Sequence, residues 1–300
     1  MDFIAPKPEE TLRAIGNIEK LSITLRRALN PASDFAPLPV PKSGDWLAEH
    51  FEQGQTFNDS TKTTPSRPTK HRNKIYLQPL GKFIDGQSPS LEALKAYGAA
   101  YFGMDVLILP ILPVRGSKLS MRINPFSRNR QLLTPRVLMF LKKTLPTDAF
   151  CILGVTMEDL YPHPSWNFVF GQASAQDRVG VFSFARYDPA FYGEERGKNY
   201  QELLLHRSCK VLVHETTHMF SLAHCIFFNC VMNGSNHLQE SDARPMHLCP
   251  VCLRKLQFSI SFDVVDRYRK LLIFYQKVGF EQEARWVSNR LKRILGDGDR

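Results

Sequence analysis

No stretch of this 300-residue chain is long and apolar enough to span a bilayer as a helix. The longest apolar run, Val106 to Val114, is short and is broken by Pro110 and Pro113. Acid is missing from one long region: there is no Asp or Glu between Val106 and Thr147. Arg115, Lys118, Arg122, Arg128, Arg130, Arg136, Lys142 and Lys143 all fall there. The plain reading is a solvated basic surface; the sharper one is a patch that steers acidic peptides or proteins. The first ten residues lack a basic start followed by an apolar run, so no signal peptide is read. The expected location is therefore cytoplasmic or nuclear, and the six cysteines are expected to be thiols or metal ligands rather than disulfides. No internal repeat is visible.

What is present is ordinary globular composition. Apolar residues make up 43% of the chain and charged residues 23%, enough to bury a core. The net charge of +10 raises the weight of acidic partners without naming one.

The chain divides, on this reading, into an N-terminal helical segment with a polar linker (1–73) and a catalytic domain (74–300). Leu12, Ile15, Ile18, Leu21 and Leu25 recur at helical spacing within Glu9 to Leu29. Gln53 to Asn73 has no aliphatic residue and reads as an exposed loop. From Lys74 an α/β pattern begins. Strands are expected at Lys74–Leu80, Val106–Leu109, Phe150–Val155, Asn167–Phe170 and Val179–Phe184, the last two joined by the turn Gln172–Arg178. The unbroken apolar runs are the mark of buried parallel strands. Ser88-Pro89 reads as a helix start, and Gly103 as its end. A long helix is expected at about Tyr200 to Ser221. Val264 to Val278 and Ala284 to Ile294 then trace two amphipathic helices.

The chemistry concentrates in Val213-His214-Glu215-Thr216-Thr217-His218-Met219-Phe220-Ser221-Leu222-Ala223-His224. Residues four apart share a helix face, so His214 and His218 can face one ion. Glu215 sits one step round, beside a water rather than among the ligands. His224 reaches the same ion if the helix stops near Ser221 and the chain turns back. Three imidazoles leave one position of a tetrahedral zinc open, as a catalytic site requires. Cys225, Cys230, Cys249 and Cys252 follow, with Cys249-Pro250-Val251-Cys252 at zinc-knuckle spacing. Four thiolates make a closed, structural zinc site, so two zinc ions per chain are expected. Cys225 directly follows His224, so the two side chains should diverge to different ions. His237 and His247 are read as surface or supporting residues, and Cys151 and Cys209 as core thiols.

His-Glu-x-x-His-x-x-x-x-x-His with the downstream Met232 resembles the metzincin metallopeptidases. The added Cys225-x-x-x-x-Cys230-x-Met232 and Cys249-x-x-Cys252 resemble the archaemetzincin family, the second vertebrate paralogue being the more similar. That resemblance implies a metzincin-like α/β zincin fold: a twisted mixed sheet, an active-site helix, a Met-turn and C-terminal helices. It implies His214, His218 and His224 on a catalytic zinc, Glu215 as acid/base, Met232 as the floor of the Met-turn, and the four cysteines on a second zinc. It implies peptide-bond hydrolysis, with aminopeptidase-type trimming as the expected mode, on a peptide or protein substrate. A substrate strand is expected to pair with the sheet edge near Asn167 to Gly171. One departure stands out. Metzincins carry Gly three residues after the second His, and this chain has Ser221 there; a left-handed residue with a Cβ costs ~1 kcal/mol. The alternative function is a catalytically weak or inactive zinc-stabilised interaction module. A nucleic-acid binder is disfavoured, because a cysteine knuckle beside three histidine ligands reads better as a brace.

Overall fold

A computed structural model describes residues 3–62, 66–115 and 119–296. Lys118 of the basic run and residues 63–65 of the polar stretch lie outside them. The chain forms two compact units: Met1–Ser66 with Ala100–Phe102 and Phe220–Arg300, and Arg67–Ala99 with Gly103–Met219. The N-terminal residues thus share a unit with the C-terminal third, where the sequence reading sets 1–73 apart.

The first unit opens with helices α1 (Pro8–Ile15), α2 (Ile23–Leu29), α3 (Trp46–Glu49) and α4 (Phe57–Lys62). The single periodic stripe from Glu9 to Leu29 is cut in two because Gly16 takes φ 76, a conformation glycine adopts without strain. The loop expected at Gln53–Asn73 contains α4. Its start is fixed by a reciprocal cap: Asp59 N–H donates to Thr56 Oγ1 at 3.1 Å, and Thr56 N–H to Asp59 Oδ2 at 3.2 Å.

The second unit holds β1 (Lys74–Leu80), α5 (Leu91–Phe102, its last turn grouped with the first unit), β2 (Asp105–Ile108), β3 (Met121–Ile123), β4 (Arg130–Leu133), α6 (Thr134–Lys143), β5 (Ala149–Thr156), β6 (Asp159–Tyr161), β7 (Gly171–Ser174), β8 (Val179–Ser183) and α7 (Tyr200–His218). Five strands form one sheet in the order β2-β1-β5-β8-β7. All are parallel except β7, which closes one edge antiparallel to β8. The expected mostly parallel sheet with one antiparallel edge is therefore present. β2, expected to be buried, is the opposite edge and only half covered. A second, three-stranded sheet, β3-β4-β6, has no counterpart in the sequence reading.

Val137 and Leu141 of α6 pack with Ile152 and Val181 in the core of this unit. Successive strand residues face opposite sides. Gly180, next to Val181, accordingly looks the other way: a Cβ there would meet Met219 Cε at 3.1 Å, so the end of α7 covers the other face. Two boundaries move. The helix expected from Ser88 starts at Leu91, because Ser90 is the cap: its Oγ accepts from Ala93 N–H at 3.2 Å. Gly103 ends that helix in the left-handed region, as expected. The strand expected at Asn167–Phe170 lies instead at Gly171–Ser174. The Asn167 carbonyl is taken by side chains of the second sheet, Gln131 Nε2 at 2.8 Å and Arg122 Nη2 at 3.1 Å, so it cannot join the ladder.

The first unit resumes after Met219 with α8 (Leu238–Ala243), α9 (Pro250–Ile260), α10 (Val264–Val278) and α11 (Glu281–Leu295), the last two on the expected stripes. Buried Arg290 of α11 binds Asp34 Oδ2 at 2.7 Å and the carbonyls of Ala28 at 2.8 Å and Asn30 at 2.7 Å, satisfying the end of α2. His247 stacks on Trp286 with ring centroids 3.8 Å apart and is partly buried, in a packing role. Burial pushes its pKa down to about 3. No described helix is long and apolar enough to cross a membrane.

Candidate metal centres

The second unit carries His214, Glu215 and His218 on the last turn and a half of α7. The helical register brings the first and last of these together. Their Nε2 atoms lie 3.1 Å apart, with the rings nearly perpendicular at 84°. Two imidazole nitrogens on one tetrahedral zinc, each at about 2.0–2.1 Å, would stand roughly 3.3 Å apart. The pair therefore fits a shared cation. Glu215 projects to one side. A Cβ on Gly171, the first residue of edge strand β7, would lie 3.4 Å from its carboxyl carbon. The strand thus runs in van der Waals reach of the carboxylate, and it is the neighbouring strand, at 3.0 Å from the same Cβ position to Phe182 Cβ and the Val181 carbonyl, that leaves little room for a side chain.

The helix stops at His218, three residues earlier than expected. Met219 N–H donates back to Thr216 O at 3.0 Å. Ser221 then takes φ 64, the left-handed conformation that the missing glycine would have entered freely.

Past that point the first unit holds the turn with side chains that the sequence reading missed. Gln55 Nε2 donates to Ser221 O at 3.1 Å, and Gln55 Oε1 accepts from Ala223 N–H at 3.2 Å. Gln55 is itself held by the buried ammonium of Lys255, 2.9 Å from its carbonyl and 3.1 Å from Oε1. His224 is held by Glu52, whose Oε1 accepts from the Nδ1 ring nitrogen at 2.6 Å. The Trp46 indole N–H donates to the same oxygen at 2.6 Å. Gln55 lies in the aliphatic-free stretch and Glu52 just before it, and scattered polar residues give no periodic signal, so nothing local marks either.

Cys225, Cys230, Cys249 and Cys252 all lie in the first unit, all buried, with sulfurs within 4.8 Å of one another. Cys225 Sγ and Cys249 Sγ stand 3.5 Å apart. Thiolates on one zinc at about 2.3 Å would lie roughly 3.8 Å apart, so this donor set also fits a metal. Backbone amides serve the sulfurs as they would thiolates: Cys249 N–H and Met232 N–H donate to Cys230 Sγ at 3.2 and 3.5 Å. Hydrogen bonds from the side chains of Cys230, Cys249 and Cys252 hold the Cys225 thiol well below its ordinary range. Burial pushes Cys230 and Cys249 up. Cys249 caps α9 with Pro250 at its first position, which places Cys252 in the first turn. Cys225 N–H donates to Met232 O at 2.8 Å, closing the loop that carries buried Met232.

The remaining candidates stand apart. His237 Nε2 pairs with Asp45 Oδ1 at 3.0 Å, and His237 Nδ1 accepts from Glu240 N–H at 3.2 Å. Cys151 and Cys209 are core thiols raised by burial. Part of the basic run is spent internally: Arg130 pairs with Glu158 at 3.0 Å and Lys142 with Asp177 at 2.7 Å.

Residues 117–258 match the model of peptidase family M54. Archaemetzincin-2 of Macaca fascicularis is 43% identical over 293 residues, covering 86% of this chain and 81% of that protein. Archaemetzincin-1 of Homo sapiens is 34% identical over 284 residues, covering 85% and 57% respectively. The second paralogue is thus the more similar, as the motifs implied. An archaemetzincin of known crystal structure from Methanopyrus kandleri aligns at 30% identity with a TM-score of 0.48, over 65% of this chain and 99% of that one. The chain belongs to the archaemetzincin family of zinc metallopeptidases.

Proposed function

We propose that this protein hydrolyses peptide bonds as an aminopeptidase-type enzyme, with His214, His218 and His224 holding one zinc and Cys225, Cys230, Cys249 and Cys252 a second. The observation that carries the reading is the pair of Nε2 atoms 3.1 Å apart, with Glu215 next to His214 on the same helix. Five residues separate His218 from His224, a tether that extends to roughly 20 Å and so leaves the third imidazole ample reach to the same ion. A zinc bound there would lower the pKa of a bound water to about 7 and polarise the scissile carbonyl. Glu215 takes the proton from the attacking water and returns it to the leaving amine nitrogen. The β7 edge, Gly171–Ser174, offers unpaired backbone groups beside Glu215, so an extended peptide adds to it as a further strand. This replaces the edge expected at Asn167–Gly171. Met232 supports the site as the floor of the Met-turn.

Profiling the products of a mixed peptide library with zinc-loaded protein tests the reading. Removal of single N-terminal residues, blocked by N-acetylation of the same peptides, is expected. Internal cleavage of the acetylated peptides would contradict the aminopeptidase mode.

Ser221 favours a second reading, a weak or inactive zinc-stabilised interaction module, because its φ of 64 strains a non-glycine residue at the helix end. Lack of cleavage of any library member by protein carrying two zinc ions would select that reading.

A further inference from the structure

The N-terminal segment around Glu52 lies outside the residues that match the family model, which begin at 117. It nonetheless shares a unit with His224. Glu52 Oε1 sits 2.6 Å from His224 Nδ1, and both side chains are largely covered, 17% and 21% exposed. The carboxylate does not reach there by chance of a flexible side chain. Trp46 Nε1 donates to the same oxygen at 2.6 Å, and the Trp46 ring meets the His224 ring edge-on with centroids 5.2 Å apart. Trp46 is fixed in turn. It stacks on His50 at 3.9 Å and 13°. Its indole also lies so close over Gly234 that a Cβ there would come within 2.3 Å of it.

An imidazole that gives its Nδ1 proton to a carboxylate carries its lone pair on Nε2. Carboxylates so placed behind a metal-bound histidine fix the ring's tautomer and rotation and raise its basicity. We infer that Glu52 is the positioning residue for His224, presenting Nε2 to the catalytic zinc. The N-terminal segment is thereby part of the metal-binding apparatus rather than an appendage. The inference rests on His224 being the third zinc ligand.

The test titrates zinc off the full-length protein with dipicolinate and counts the retained metal by mass spectrometry. It compares wild type, His224→Ala, Glu52→Ala, Glu52→Gln and the double variant His224→Ala/Glu52→Ala. Zinc held by the four cysteines serves as the internal reference. Glu52→Ala is expected to weaken the more readily removed zinc by 10- to 100-fold, the usual effect of deleting such a partner. Glu52→Gln keeps an acceptor oxygen and most of the volume, so it is expected to recover most of that loss. Should Glu52→Ala fold poorly, the Glu52→Gln comparison still stands. The double variant is expected to match His224→Ala alone, because on this inference Glu52 reaches the zinc through that ring. Undiminished zinc affinity in His224→Ala would remove the ligand reading itself. Weakened affinity in His224→Ala with wild-type affinity in Glu52→Ala would overturn the positioning role and leave the ligand reading standing. Losses that simply add in the double variant would also overturn it.

Discussion

The two groups of candidate ligands are built in opposite ways. His214 and His218 lie one turn apart on a single helix, so the regular backbone alone sets their spacing. The four cysteines come from two stretches, with Cys230 and Cys249 19 positions apart, and meet only when that loop closes on the start of α9. The helix pair is preformed by local structure. The second group gathers four thiols in a buried place, where burial alone disfavours thiolates. On the proposed reading, metal at the first site would serve chemistry, while metal at the second would be part of folding.

The largest effect expected from this contrast is on stability. Cys249→Ser should lose one zinc and lower the melting temperature by roughly 6–12 °C, corresponding to about 3 kcal/mol, since metal bound only in the folded state contributes directly to folding. Calorimetry together with metal analysis checks it. An unchanged melting temperature would make the cysteine site incidental.

Next comes the strand that passes the proposed base. Gly171→Ala places a methyl 3.0 Å from Phe182 Cβ and from the Val181 carbonyl, and 3.4 Å from the Glu215 carboxyl carbon. The two 3.0 Å contacts require β7 to shift against β8 beside Glu215, and kcat is expected to fall on the order of 10-fold with zinc content unchanged. A change in KM alone would show that the strand matters for substrate and not for the carboxylate.

The smallest effect concerns the turn after α7. Ser221→Gly should raise stability by ~1 kcal/mol through relief of the left-handed backbone. A melting curve shifted up by about 2–4 °C would show it. A fall instead would mean that the 3.4 Å hydrogen bond from Ser66 N–H to Ser221 Oγ outweighs the strain. A large gain in turnover in the same variant would show that the strained turn holds back catalysis.

The same contrast explains what was legible in the sequence. Apolar runs placed β1, β5 and β8, and the 3.6 period placed α10 and α11, because each buries a whole face. Motif spacing marked all seven candidate ligands, but only the His214/His218 pair owes its geometry to the local helix. The second sheet escaped notice because β3, β4 and β6 are only three or four residues long and too short to show a period. Asn167–Phe170 misled because its apolar content serves packing while the Asn167 carbonyl serves Gln131 and Arg122. Glu52 and Gln55 were invisible for a different reason. Their partners, His224 at 172 positions distance and Ala223 at 168, are fixed by tertiary closure, which no local pattern encodes.

The central claim is that Glu215 performs proton transfer beside a zinc held by the α7 histidines. The most direct measurement is the turnover of a peptide substrate by Glu215→Ala, with zinc content determined on the same sample. The account predicts two zinc ions per chain, as in wild type, with turnover reduced about 100- to 10,000-fold, the usual worth of general acid–base assistance. Near wild-type turnover with both zinc ions in place would contradict it.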